Sequence, residues 1–172
     1  MDTSLLSKKF GEIGARVAIG GEVSRRNPAG IDIKVDGQGE YFDIRVETND
    51  EVDYQVLDSR PDMRHLLLMA RRENGKQKFL CGHDERHWFV CAVPGQSVSS
   101  VVNAMEALQP VFVRGAVHHR VKRVKERLRR RNKAFVRQGE WFFVPIQSLT
   151  VNPRLVLKNE PLRRGKDRKS VV

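Results

Sequence analysis

One segment, residues 117–137, carries much more positive charge than any other part of the sequence: VHHRVKRVKERLRRRNKAFVR. Its apolar residues recur at helical spacing, because Val117, Val121, Val124 and Leu128 fall at i, i+4, i+7 and i+11. The other positions carry mainly Lys and Arg and a single acidic residue. The pattern predicts an amphipathic helix whose apolar side is held against the protein and whose basic side faces outward.

The positive charge is concentrated at one end of the chain. Residues 1–113 contain 14 Lys and Arg and 17 Asp and Glu, whereas residues 114–172 contain 18 Lys and Arg and only 4 Asp and Glu. The net charge of +11 therefore comes from the last third of the sequence. A basic segment attached to a near-neutral body indicates an anionic partner, most commonly nucleic acid. Charge alone leaves an acidic protein and an anionic membrane surface as alternatives.

Binding to phosphate requires cationic side chains spaced along a rigid support, and each neutralised phosphate releases counterions. Arginine outnumbers lysine in the basic segment, which favours two-pronged hydrogen bonding to phosphate. The alternative is a solvated helix face that only increases solubility, although adjacent like charges destabilise a helix. The residues predicted to contact phosphate are Arg120, Arg123, Arg127, Arg130, Arg131 and Lys133.

A short aromatic segment follows the basic one. Alternation in a strand places Trp141 and Phe143 on one face and Phe142 on the other. Core packing is the ordinary role of such residues, but an exposed aromatic ring beside cations is able to stack on an unpaired base. We therefore expect only the ring that remains exposed to be a stacking candidate.

The first part of the chain predicts β-structure. Period-two alternation in residues 31–35 and 41–46, separated by turn residues, predicts a hairpin. Residues 65–93 predict a three-stranded antiparallel meander that is buried on both faces. Ser97 is a suitable N-cap for a following helix, and residues 111–113 predict a short extended link.

These elements predict the α+β class, with a mainly antiparallel sheet of about six to eight strands packed by two helices. The second helix is the strongly basic one. The length fits a single α+β domain over residues 1–161, with a sheet-rich part at 15–93 and a helical, basic part at 97–145. Residues 162–172 are polar and basic, and predict a flexible tail.

Histidine and cysteine residues cluster near one predicted hairpin. If residues 84–86 form the tip, His83 faces His87 across the ladder and Cys81 lies on the same face. Thiolate and imidazole groups bind zinc, so Cys81, His83 and His87 are the candidate metal ligands, although their spacing matches no specific zinc motif. No other cofactor is expected.

The same tip is the candidate catalytic site. Two imidazoles, His83 and His87, could act as general acid and base in the cleavage of a phosphodiester, and Arg86 would stabilise negative charge. His118 and His119 offer a second pair of imidazoles. The sequence contains none of the glycine-rich phosphate loops, nucleophile elbows or zinc-protease motifs that mark common enzyme classes.

The segment at the start of the chain lacks the apolar run of a signal peptide, and the longest purely apolar run, residues 66–70, is too short to cross a bilayer. Two cysteines do not make a disulfide framework, so we expect a cytoplasmic protein without a membrane partner. The function favoured is binding of RNA or DNA through backbone and shape, by itself or as a subunit of a larger nucleoprotein assembly. A small ribonuclease-like enzyme and a module that docks an acidic protein are the alternatives.

Overall fold

The computed structural model describes residues 3–20, 30–45, 52–95, 97–138, 141–146, 148, 150–156 and 158. The chain divides into two compact units, Met1–Gln109 and Pro110–Val172, which we call the sheet unit and the basic unit. The expected single domain over 1–161 stays a prediction. The expected tail, 162–172, lies outside the described residues.

The sheet unit contains a three-stranded sheet and a four-stranded sheet among its described residues. Its elements are α1 (Thr3–Glu12), β1 (Val17–Ile19), β2 (Ile31–Asp36), β3 (Gly39–Ile44), β4 (Asp53–Arg60), β5 (His65–Arg72), β6 (Gly75–His83), β7 (Trp88–Ala92) and α2 (Val101–Ala107). The first sheet has the order β1–β3–β2, in which β1 runs parallel and β2 antiparallel to β3. The second sheet, β4–β5–β6–β7, is antiparallel throughout.

Strand β5 of the four-stranded sheet is buried on both faces over most of its length, because apolar residues fill both alternating sets of positions. On one face, Leu66 and Leu68 pack in a cluster that includes Phe10 of α1 and residues of the three-stranded sheet. On the other face, Leu67 packs in a second cluster with Val101 of α2. Each fully buried Leu or Phe side chain contributes about 1.5–3 kcal/mol. The strands that carry the β6–β7 hairpin are therefore firmly held.

Several expectations are confirmed here and others are wrong. The α+β class with mainly antiparallel strands is confirmed, as is the meander over residues 65–93, which gains β4 as a fourth strand. The strands of the described residues form three sheets and not one. The N-cap of α2 is Ser100, whose side chain accepts a hydrogen bond from the Asn103 amide, and not Ser97.

A histidine ring covers the backbone of Gly82 in β6. A Cβ atom added at Gly82 would lie 2.6 Å from a ring carbon of His65, its cross-strand partner. The imidazole has little room to move, because its Nδ1 bonds to the Met63 carbonyl and its ring packs on Phe89 at 5.4 Å. The absence of a side chain at Gly82 is therefore required by this close approach.

We expect Gly82→Ala to lower the free energy of unfolding by about 1–3 kcal/mol, the usual cost of overpacking. The matched control is Gly11→Ala in α1, where the added methyl group meets nothing within 4 Å. Alanine at this helical position should raise stability by about 0.5–1 kcal/mol. Chemical denaturation followed by circular dichroism measures both changes, and an equal effect of the two variants would contradict the account of the His65 contact.

The described residues of the basic unit form two α-helices, a hairpin and a short 3-10 helix, Pro153–Leu155. Its elements are α3 (Val111–Arg120), α4 (Val124–Arg127), β8 (Val136–Gln138) and β9 (Trp141–Phe143), with β8 and β9 antiparallel. Its core contains Val113, Val117, Val121, Ala134 and Phe135. Among the described residues of the chain, no helix is both long enough and apolar enough to cross a membrane.

The predicted continuous helix over residues 117–137 is wrong. α3 begins at Val111, so the expected extended link at 111–113 is its first turn, and it ends at Arg120. Val121 has an extended backbone, with φ −120° and ψ 107°, and only one turn of helix follows, in α4. The apolar side predicted for this helix is confirmed at Val117 and Val121, which are both buried. Helical periodicity identified these core positions but not where the helix stops.

Candidate functional site

The cations expected to contact phosphate form what we call the basic surface. They are Arg120, Arg123, Arg127, Arg130, Arg131 and Lys133. The first ends α3, and the others lie around α4 and in the loop before β8. Five of the six residues are exposed, and Arg127 is half-buried. The cations therefore lie on the ends of two short helices and on the loops beside them, and not in a row along one straight helix.

Ion pairing within the protein would cancel this charge, so the partners of these residues matter. Arg123, Arg131 and Lys133 are exposed and have no carboxylate partner among the described residues. Arg127 differs, because its Nε donates a hydrogen bond to the Val121 carbonyl at 3.2 Å. The side chain of Arg120 donates to the Pro145 carbonyl at 3.4 Å. Arg123, Arg131 and Lys133 are thus the members of the basic surface most available to a ligand.

A single asparagine side chain organises the loop that carries these cations. The Nδ2 group of Asn132 donates to the carbonyls of Glu126, Arg127 and Arg129 at 3.3–3.4 Å. Its Oδ1 accepts hydrogen bonds from the amides of Ala134 and Phe135 at 2.8 and 3.0 Å. This side chain therefore ties the carbonyls at the C-terminal end of α4 to the amides that follow Asn132 in the loop.

Cross-strand pairing places a cation and an aromatic ring on one face of the small hairpin. Arg131 forms a bridge with Val136, and Val136 is paired with Phe143. Directly opposed residues of antiparallel strands share a face, and the three are all exposed, Val136 by 44% and Phe143 by 38%. Phe142 instead packs against the core. Phe143 is thus the clearest stacking candidate. Two strand spacings separate its backbone from that of Arg131, which corresponds to about 10 Å.

The histidine hairpin tip differs from the expected one by one residue. His83 is paired with Trp88 and not with His87, so the loop spans four residues, 84–87. The Asp84 carboxylate closes this loop by accepting hydrogen bonds from the amides of Arg86 and His87, both at 3.0 Å. A longer loop moves His87 off the ladder and leaves its side chain 71% exposed.

A carboxylate from the other sheet contacts this tip. Glu40 of β3 accepts a hydrogen bond from Nδ1 of His87 at 2.8 Å with one oxygen. With its other oxygen it accepts the amide hydrogen of Trp88, also at 2.8 Å. The Trp88 amide, followed by the His87 side chain, holds the pKa of Glu40 below its usual value. Glu40 and His87 therefore form a carboxylate–imidazole pair that lines a cleft of about 600 Å³.

The candidate zinc ligands are not brought together. Cys81 is fully buried in the core, where burial raises the pKa of its thiol and disfavours the thiolate that zinc requires. His83 lies against Trp88, with ring centroids 4.8 Å apart, while His87 bonds to Glu40. Among the described residues, no group of three or more His, Cys, Asp and Glu side chains is arranged to hold a metal ion.

Two residues that shape these sites were missed by sequence reasoning. Glu40 lies 47 residues from His87, and nothing local in the sequence connects them. Asn132 interrupts the run of basic residues and is followed within three positions by the buried Ala134 and Phe135. Asparagine favours turns over helix interiors, so this residue carried a signal that the helical periodicity outweighed.

No protein-family model matches this chain, and no match was found among curated proteins or solved structures.

Proposed function

We propose that this protein binds nucleic acid through the basic surface of the basic unit, with contacts mainly to the phosphate backbone. The observation that carries the proposal is the exposure of Arg123, Arg131 and Lys133 without a carboxylate partner among the described residues. The phosphates of a nucleic acid hold condensed cations, and clustered cationic side chains in this state displace them with a gain in entropy. Either RNA or DNA satisfies this requirement.

The form of the surface favours a flexible, single-stranded ligand over a duplex. A straight basic helix would suit the groove of a duplex, but these cations lie on two short helices and the loops beside them. The face shared by Arg131 and Phe143 offers a phosphate contact and a stacking platform within the reach of one or two nucleotides. We therefore infer that single strands bind more tightly than duplexes of the same sequence.

The proposal is tested by fluorescence anisotropy of the full chain with labelled single-stranded RNA, single-stranded DNA and duplex DNA. We expect binding that weakens steeply with salt, because each phosphate contact contributes roughly one unit to the slope of log K against log salt concentration. Absence of binding to all three probes at low salt would contradict the proposal. Capture of an acidic protein that persists after nuclease treatment, without nucleic-acid binding, would favour the docking alternative.

Phe143 gives a sharper test of single-strand recognition. We expect Phe143→Ala to weaken binding to single strands by about tenfold, since one base–aromatic stack contributes about 1–3 kcal/mol, and to leave duplex binding nearly unchanged. Phe112→Ala is the matched control, because Phe112 is also exposed, by 64%, but lies on α3. Equal losses for single strands and duplexes, or equal losses in the two variants, would rule out stacking on Phe143.

A further inference from the structure

We propose that the cleft of the sheet unit is a second, catalytic site, which cleaves RNA by transfer of the phosphodiester to the neighbouring 2′-hydroxyl with His87 as general base. The side chains that carry this inference are Glu40, His83, Arg86, His87 and Trp88, all of which line the cleft. The site belongs to the sheet unit alone and does not depend on the basic surface.

The contacts of Glu40 set the proton on the His87 ring. The carboxylate accepts two hydrogen bonds, from the Trp88 amide and from His87 Nδ1. An ionised carboxylate is only an acceptor, so Nδ1 of His87 must carry the hydrogen. In the neutral ring, the lone pair is then on Nε2, the atom farther from Glu40. The 71% exposure of the His87 side chain makes this nitrogen accessible to a polymeric substrate.

The backbone around His87 is fixed as well. Asp84 accepts the amide hydrogens of Arg86 and His87, and the Asp84 amide donates to the His87 carbonyl at 3.0 Å. Trp88 follows directly and starts β7, where its ring lies edge-on to that of Phe42 at 5.5 Å. A base that is exposed yet held in one orientation is what general base catalysis requires.

The cleft also supplies an acid and a cation. His83 ends β6, and its ring lies edge-on to Trp88 at 4.8 Å. Arg86 is exposed and has no carboxylate partner among the described residues, whereas Arg16, which also lines the cleft, is held in two hydrogen bonds by Asp36. Arg86 is therefore the guanidinium group available to an incoming phosphate.

These groups suit RNA because RNA carries its own nucleophile. Nε2 of His87 takes the proton of the 2′-hydroxyl while the 2′-oxygen forms a bond to the adjacent phosphorus. The bond from phosphorus to the 5′-oxygen of the next nucleotide breaks, and the imidazolium form of His83 donates its proton to that oxygen. Arg86 stabilises the negative charge that builds up on the non-bridging oxygens. The products are a 2′,3′-cyclic phosphate and a 5′-hydroxyl, and no further reactant is consumed.

The test uses the full-length protein and a mixed-sequence RNA pool, with DNA and 2′-O-methyl RNA pools as substrates that lack the nucleophile. We expect cleavage of RNA alone, with cyclic phosphate ends. His87→Ala should lower kcat by about 100-fold or more, the usual contribution of a general base, and added imidazole should restore part of the activity. Arg86→Ala should lower kcat/KM. The control is Arg71→Ala, which should not, because Arg71 is an exposed arginine at the end of β5 that lies away from His83.

Glu40 acts as a positioning residue, and Glu40→Gln isolates this role. Glutamine keeps an acceptor for the Trp88 amide but presents an amide NH₂ to the imidazole, which then carries its hydrogen on Nε2. We expect kcat to fall with KM and the melting temperature nearly unchanged. No cleavage of RNA by the wild-type protein, equal cleavage of 2′-O-methyl RNA, or full activity in His87→Ala would each overturn the proposal. None of these results bears on binding by the basic surface, which the anisotropy measurements test separately.

Discussion

Reversal of charge at Arg123, Arg131 and Lys133 together should weaken nucleic-acid binding on the order of 100-fold or more at moderate salt. Each substitution to Glu would remove one of the proposed phosphate contacts and add repulsion at the same place. The slope of log K against log salt concentration should also fall by roughly two to three units, because fewer counterions are released on binding. Fluorescence anisotropy over a series of salt concentrations measures both quantities.

The choice of residues follows from their contacts. Arg127 also belongs to the basic surface, but its Nε donates to the Val121 carbonyl, so its replacement would disturb the fold as well as the charge. Arg123, Arg131 and Lys133 are exposed and are without a carboxylate partner in the described part of the chain. Their replacement should therefore leave the melting temperature almost unchanged.

A matched control separates a specific surface from bulk charge. Lys8, Arg71 and Lys76 are exposed cations of the sheet unit, and their joint replacement by Glu changes the net charge by the same amount. We expect this control to lose only a few-fold in affinity, through the weaker long-range field. Equal losses in the two triple variants would mean that net charge alone drives association, and the basic surface would then not be the binding site.

Prediction from the sequence succeeded where the determining interactions are local. The meander of β5, β6 and β7 follows from alternating apolar residues and from turn residues between them. Both faces of β5 are apolar in the sequence, and both are buried. The hairpin tip was misplaced by one residue, because the side chain of Asp84 closes a four-residue loop that residue type alone does not distinguish from a three-residue one.

In the candidate cleft, the interaction that orients the reactive groups is not local in the sequence. His83, Arg86 and His87 are close in sequence and were recognised as possible acid, base and cation groups. Glu40, which orients the imidazole of His87, comes from β3 of the other sheet. That contact depends on the packing of two sheets, a tertiary arrangement without a local pattern, so the sequence predicted the reactive groups but not their orientation.

The continuous helix predicted for the basic segment is wrong for a different reason. Its valines have helical spacing, and the first two are buried as the pattern indicates. The side chain of Asn132, however, contacts three backbone carbonyls that precede it. The chain turns there, and Ala134 and Phe135 enter the core of the basic unit. Repulsion between neighbouring cations removes much of the advantage of a continuous helix. The burial of Phe135 and the hydrogen bonds of one side chain decide against it.

Asn132→Ala should therefore have a large effect on the basic unit. It removes the two short hydrogen bonds accepted by Oδ1 and the longer contacts in which the two hydrogens of Nδ2 are shared among three carbonyls. At about 0.5–1.5 kcal/mol for each bond, with allowance for their partial exposure, we expect a loss of roughly 2–4 kcal/mol. Hydrogen exchange at the amides of Ala134 and Phe135 measures the loss locally, and both should become strongly unprotected.

Two further variants define what the Asn132 side chain does. Asn132→Asp retains an oxygen that accepts from Ala134 and Phe135, but it loses the donor contacts of Nδ2 and places a charge against carbonyl oxygens. Protection should therefore fall to an intermediate or lower level. Asn152→Ala is the control, because Asn152 accepts a single bond from the Arg154 amide at an exposed position, and its loss should cost less than about 1 kcal/mol. Since Arg131 and Lys133 flank Asn132, its replacement by Ala should also weaken nucleic-acid binding although no cation is removed. Unchanged protection and unchanged affinity in Asn132→Ala would mean that the core residues Ala134 and Phe135 hold the loop by themselves.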